Sequence, residues 1–211
     1  MFFDVNDFLK CEFDKNFNLA TKKNIASLLI EAYQLRDECL HAEPILSLTE
    51  IGSKDLAAHL LRPAIEKTAR TYCLTGKLPF LFLLNLNKAK NSRHILLESP
   101  LSTVYFARTQ TAWEKPRRVK YRPVVEMDLF SETNALEEEP HVNTFLVNYG
   151  DDKERGLLFA GIGIPGARGW LYYESLDLRV VEKQEMLQPE QHEEILVQLI
   201  EGIDNNVKKA E

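Results

Sequence analysis

Between Arg108 and Arg122 the chain carries Arg108, Lys115, Arg117, Arg118, Lys120 and Arg122 against a single acid, Glu114, with Trp113 and Tyr121 interleaved. Six positive charges less one negative give a local balance of +5, in a chain whose formal net charge is −6. Guanidinium groups grip phosphate or carboxylate as a two-pronged fork, and aromatic faces stack on bases. On a β-hairpin, alternation sets Arg118, Lys120 and Arg122 on one face. Arg108, Lys115, Arg117, Arg118, Lys120, Tyr121 and Arg122 are therefore the candidate set for a phosphate-bearing or acidic partner. The competing reading is a solvated strand face neutralised by the protein's own acids, because Glu126, Asp128, Glu132 and Glu137 to Glu139 follow at once. A second basic group, Lys88, Lys90 and Arg93, sits in the preceding turn and joins the first if the two hairpins lie side by side.

Other motifs carry less. Gly161-Ile162-Gly163-Ile164-Pro165-Gly166 spells the G-x-G-x-x-G of dinucleotide-binding folds. That motif works only where a helix starts inside it and aims amides at a pyrophosphate. Here Trp170-Leu171-Tyr172-Tyr173 follows and reads as strand, so the glycines are assigned to a hairpin turn and no cofactor is expected. Helix, Arg62-Pro63 break, helix and hairpin follow the order of a winged helix-turn-helix. The usual short turn is missing, however, and the supposed wing is apolar on both faces. Asp151-Asp152-Lys153 resembles a metal-nuclease string but is bounded by Gly150 and Gly156, as a hairpin loop is. Glu137-Glu138-Glu139-Pro140-His141 reads as a solvated loop. The five histidines form no i, i+4 pair and no H-E-x-x-H, so no metal site is expected. Trp170, Tyr172 and Tyr173 beside Arg168 offer a stacking platform, with filling of a sheet face as the commoner role.

The elements that must position these residues divide near Gly76 into a helical front, 1–76, and a β-rich remainder, 77–211, read as one continuous domain. Ile25, Leu28, Leu29, Ala32, Leu35 and Cys39 recur at helical steps over about Thr21 to Leu40, with Thr21 as N-cap. Ile45 to Leu48 is a short apolar run with strand character. After a Gly52-Ser53 break a second helical stretch covers Lys54 to Leu74, with Pro63 expected to kink or split it and Gly76 to cap it. Phe80 to Leu84 is apolar throughout and predicts a buried central strand. Strands are then expected at His94 to Glu98, Thr103 to Trp113, Val119 to Phe130, Asn143 to Tyr149, Gly156 to Ile164 and Trp170 to Val181. Short polar turns between them favour antiparallel meander pairing. Ile195, Leu199, Ile203 and Val207 mark a C-terminal helix that starts at Pro189.

The fold predicted is α+β: N-terminal helices packed against a bent, mostly antiparallel sheet of roughly five to seven strands, with a C-terminal helix. Hydrophobic residues at 45% and charged residues at 27% are an ordinary globular mixture. The first residues carry acids where a secretory signal carries lysine or arginine, and the apolar run Leu78 to Leu86 is too short to span a bilayer. Cys11, Cys39 and Cys73 fit neither a metal pattern nor a disulfide framework, so a cytoplasmic protein with reduced thiols and no membrane partner is expected. The acidic net charge gives no general attraction to nucleic acid, so any such binding is local. Two functions follow. The first is a non-catalytic binding or regulatory protein that contacts nucleic acid or an acidic protein through the basic segment. The second is a metal-dependent hydrolase or nuclease whose acids, Glu126, Asp128, Asp151 and Asp152, converge only in the fold. The absence of the common catalytic motifs favours binding.

Overall fold

The structure, a computed structural model, describes residues 5–42, 50–86, 93–114, 143–152, 156–166 and 169–179. The expected strands at Ile45 to Leu48 and Val119 to Phe130 and the C-terminal helix lie outside these residues, as do Pro44 and Glu137 to His141. Three helices come first: α1 (Val5–Asn16), α2 (Leu19–Ala42) and α3 (Glu50–Leu74). Six strands follow: β1 (Leu81–Leu86), β2 (Arg93–Glu98), β3 (Thr103–Arg108), β4 (Thr144–Asp152), β5 (Gly156–Pro165) and β6 (Trp170–Ser175). The class is α+β with a mostly antiparallel sheet, as expected.

The helices refine the sequence reading. Helix α1 lies where no element was expected. Its stripe Leu9 and Phe13 steps by four into Phe17, and all three side chains are buried. The N-cap of α2 is Asn18 rather than Thr21. The Thr21 amide donates to Asn18 Oδ1 at 2.8 Å, which satisfies one of the first-turn donors, and Thr21 itself is buried. Helix α3 runs unbroken through Gly52, Ser53 and Pro63. Proline forfeits one backbone bond there, but Leu61, Ala64 and Ile65 bury themselves on either side of it, and tertiary packing holds the helix together. Gly76 caps the end as predicted, with φ of +72°.

The six strands lie in sequence order, β1-β2-β3-β4-β5-β6. Four of the neighbouring pairs are antiparallel, whereas β3 and β4 run parallel. Among the described strands the expected meander is thus interrupted once, between β3, which ends at Arg108, and β4, which begins at Thr144 and runs in the same direction. Among the described strands β1 lies at the edge of the sheet, not at the centre as anticipated. Leu81 is 62% and Leu86 53% exposed, and the buried residues of that apolar run, Leu78 and Phe80, precede the strand. Gly150-Asp151-Asp152 is not a turn: β4 continues through it, with a register shift between Gly150 and Asp151. Strands β3 and β6 end sooner than expected, at Arg108 and Ser175.

One face of the sheet meets the helices. Phe145, Val147 and Tyr149 of β4 alternate onto that face with Ile95, Leu97, Val104, Ala160 and Ile162, and all join a core with Phe13, Phe17, Leu29 and Ile65. Phe145 sits edge-on to Phe17 at 4.9 Å between ring centroids. The opposite face, termed here the far face, holds a smaller cluster of Leu96, Tyr105 and Leu146 with Leu83, Ala107 and Trp170 against it. Among the described residues no helix is long and apolar enough to cross a membrane. Phe145→Ala should lower unfolding free energy in urea by about 3–5 kcal/mol, whereas Leu81→Ala on the edge strand should change it by only about 0.5 kcal/mol or less.

Candidate nucleic-acid interface

Of the seven residues in the basic set, the structure describes Arg108. Lys115, Arg117, Arg118, Lys120, Tyr121 and Arg122 lie outside the described residues, as do Lys88, Lys90, Glu126 and Asp128. Arg108 ends β3, and Arg93 begins β2. The antiparallel register that sets Leu96 against Tyr105 brings these two arginines to the same end of the sheet. The parallel register brings the end of β4 there too, with Tyr149 beside Arg108.

Arg108 is not a bare cation. Its Nε donates to Asp151 Oδ1 at 2.6 Å, and its Nη2 lies 2.6 Å from the same oxygen. Its side chain is nonetheless 47% exposed, against 10% for Asp151. Arg36 of α2 approaches Asp151 from the helix side, with Nη1 3.7 Å from Oδ2. Asp151 is therefore the counter-ion of two guanidinium groups and ties α2 to the strand end. Among the described residues no group of three or more His, Cys, Asp or Glu is placed to hold a metal. Burial is the main reason that the Tyr149 phenol is pushed up to about 12, with Arg108 opposing and Asp151 adding to it. Burial likewise lowers the His94 imidazole, helped by the Arg62 charge.

Beyond Arg108 the chain turns sharply onto the far face, and Asn148 fixes that turn. Asn148 is fully buried at the centre of β4. Its amide nitrogen donates to the Ala112 carbonyl at 2.8 Å, and its oxygen accepts from the Thr109 hydroxyl at 2.6 Å. The Thr109 amide donates to the Tyr149 carbonyl at 2.9 Å, and the Gln110 amide donates to the Glu114 carboxylate at 2.8 Å. Residues 109–114 are thus an ordered turn rather than the last half of a strand. They present Trp113, which is 71% exposed and rests on Tyr173 at 5.0 Å. Tyr173 in turn lies 5.0 Å from Trp170.

The glycines explain how this aromatic row lies down on the sheet. A side chain on Gly161 would collide with the Tyr173 ring, one on Gly163 would meet Trp170 and the Tyr172 carbonyl, and one on Gly150 would collide with Phe159. The three far-face positions therefore form a floor on which Phe159, Tyr173 and Trp170 rest, a packing use of glycine inside strands. The G-x-G string is accordingly part of β5, and the turn comes after it, where the Gly166 amide donates to the Gly169 carbonyl at 2.8 Å. Of the three aromatics read as a platform, Trp170 and Tyr173 share the far face. Tyr172 points the other way and packs on Phe13 at 4.9 Å. Arg168 lies outside the described residues.

Asn148, Arg36 and Tyr33 were absent from the sequence reading of the site. For Asn148 a signal existed: it is the one amide within Phe145-Leu146-Val147-Asn148-Tyr149, and a polar side chain inside a buried strand needs specific partners. For Arg36 and Tyr33 none did, since α2 and β4 are more than a hundred residues apart. The described residues define an α+β protein with a helical layer on one face of its sheet and an aromatic, glycine-floored row on the other. No protein family, curated protein or solved structure matches the chain. Asn148→Leu should cost about 1–3 kcal/mol, because it removes the donor to the Ala112 carbonyl, while the Thr109 hydroxyl keeps the Thr111 carbonyl at 2.9 Å as an acceptor. Urea unfolding measures that loss, and a shift of tryptophan emission should accompany it as Trp113 leaves Tyr173.

Proposed function

We propose that this chain is a non-catalytic, cytoplasmic binding protein that takes single-stranded nucleic acid across the far face of its sheet. The observation that carries this reading is Trp113: a largely exposed indole, packed at a tilt against Tyr173 and held by an ordered turn. A single exposed apolar residue is ordinary, but Trp113 continues a row with the part-exposed Tyr173 and Trp170, and contiguous apolar surface of this kind marks interaction sites. Every base has a π-face, so a stacking platform of this kind tolerates any sequence. Phosphates follow the bases. Arg108 precedes the platform with a half-exposed guanidinium, and the chain that leaves Trp113 carries Lys115, Arg117, Arg118, Lys120 and Arg122 within nine residues. Sheet-face aromatics flanked by arginine and lysine are a recurrent solution for unpaired RNA and DNA.

Two physical points favour this over the hydrolase reading. Asp151, the strand-end acid best placed for metal chemistry, already accepts from Arg108 and faces Arg36. A carboxylate so paired is a poor ligand, because a cation has to displace two guanidinium groups. Moreover, the net charge of −6 suits a protein that uses a local patch and stacking rather than bulk attraction.

Fluorescence anisotropy with a labelled oligothymidylate tests the reading. Binding at low salt should weaken along a log–log line with a slope of about −0.7 for each phosphate engaged. Trp113→Ala should cost about 1–3 kcal/mol of binding free energy and leave the slope alone. Arg108→Ala should flatten the slope by about 0.7. A wild-type chain that shows no binding at low salt contradicts the proposal and leaves an acidic protein as the better partner for the basic segment.

A further inference from the structure

Among the described strands β1 and β6 are the two edges of the sheet, and they differ in kind. An unpaired strand edge offers a row of amides and carbonyls to any other strand, and soluble proteins blunt such edges with charge, proline or irregular pairing. Strand β6 is blunted in this way. It carries Glu174, held by Lys22 at 2.9 Å, and its pairing with β5 slips between Ile164 and Pro165. Strand β1 is not. Leu81-Phe82-Leu83-Leu84-Asn85-Leu86 has no charge and no proline, and all six residues pair with β2 in unbroken register. Phe82 and Leu84 oppose Leu97 and Ile95 of the helix-face core, so Phe82, Leu84 and Leu86 share that face, whereas Leu83 joins Leu96 on the far face. Phe82 packs against the core, but Leu84 is 39% and Leu86 53% exposed. The helix-face core thus stops short of the last two apolar side chains of the edge.

A second copy of the chain fits this edge because the edge is complementary to itself. A two-fold axis makes an edge strand its own antiparallel partner, and the pairing stops at two copies because it consumes the edge. Opposed residues of a sheet share a face, so the axis must pass at a residue rather than between two; only then does helix face meet helix face. At Leu84 it sets Leu84 against Leu84 of the second copy, and Phe82 against Leu86 in both directions. Both exposed leucines of the helix face are then covered by apolar partners. We propose that β1 pairs antiparallel with β1 of a second copy about a two-fold axis at Leu84, which joins the two sheets into one with both helical layers on the same side. Cross-strand apolar pairs of this kind stabilise sheets. One strand pair is small beside the roughly 1,200–2,000 Å² of a standard interface, so the dimer is reversible. Each copy carries a net charge of −6, so the copies repel and salt should favour the dimer, the reverse of its effect on oligonucleotide binding. The proposal is independent of the far-face reading, since it needs neither Trp113 nor a nucleic acid.

Sedimentation velocity of the full chain over a dilution series, at low and at high salt, reads the association directly. The wild type should move from one chain to two as concentration rises, and raised salt should bring the transition to lower concentration. Leu84→Lys sets two like charges against each other across the axis, at about 4.5–5.5 Å between Cβ atoms, and should stay a single chain throughout. Leu84→Glu should do the same. Because position 84 faces itself, an equal mixture of the two variants should recover the two-chain species that neither forms alone. Thermal unfolding checks that both variants fold. Leu86→Lys, at a more exposed position facing Phe82 of the second copy, should raise the concentration needed for association roughly tenfold. It gives a second reading if the position-84 chains do not fold. Four results overturn the proposal. They are a wild type that stays single at every concentration and salt, growth past two chains, a two-chain species that Leu84→Lys or Leu86→Lys leaves intact, and a mixture of folded Leu84→Lys and Leu84→Glu chains that stays single.

Discussion

The side-chain amide of Asn148 is the interaction on which the turn that displays Trp113 depends. The step from β3 to β4 is the one parallel pairing among the described strands, and it obliges the chain to leave the sheet after Arg108 instead of turning back beside it. A departing loop has its own backbone groups to satisfy. Asn148, fully buried in β4, takes up the Ala112 carbonyl and the Thr109 hydroxyl and so converts a departure into an ordered turn. Burying an amide in a strand is costly unless both ends of it are paired, and here both are. The same two bonds place Trp113 beside Tyr173, so the ordering of the turn after β3 and the display of an exposed indole have one cause.

The two faces of the sheet divide the physical work. Aromatic rings from α1 and its end, Phe13 and Phe17, meet Phe145 on the helix face within the main core. The far face relies on glycine instead: with no Cβ at Gly150, Gly161 and Gly163, three rings lie close to the backbone. Electrostatics joins the faces at the strand end. Asp151 neutralises part of the charge of Arg108 and Arg36 and fixes where both guanidinium groups sit. A held arginine loses less entropy on meeting a phosphate than a free one, so partial pairing of Arg108 is compatible with the proposed phosphate contact.

Local signals were legible in the chain, and long-range ones were not. The face of α2, the glycine cap at Gly76 and the core of β2, β4 and β5 follow from periodicity and turn chemistry alone, because each depends on neighbours a few residues away. Pairing does not. An apolar run such as Leu81 to Leu86 reads the same at an edge as at a centre, and only the strand order made β1 an edge. The parallel step between β3 and β4 left no mark because it pairs segments some forty residues apart in the chain, which no local pattern records. The site shows the same division. Arg108 and the pair Trp170 and Tyr173 stood out by type. Tyr172 was grouped with them by adjacency, although strand alternation sends it to the opposite face. Arg36 became part of the site only through contact with a strand more than a hundred residues away.

The central claim is that Trp113 is a pre-set stacking surface for an unpaired base. The chain has two tryptophans, so the indole N–H region of a proton–nitrogen spectrum contains two signals, assignable with Trp113→Phe. On titration with an unlabelled oligothymidylate at low salt, the account predicts that the Trp113 signal moves progressively upfield as a base stacks on it and returns when salt is raised. Two indole signals that stay in place at saturating oligonucleotide would contradict it.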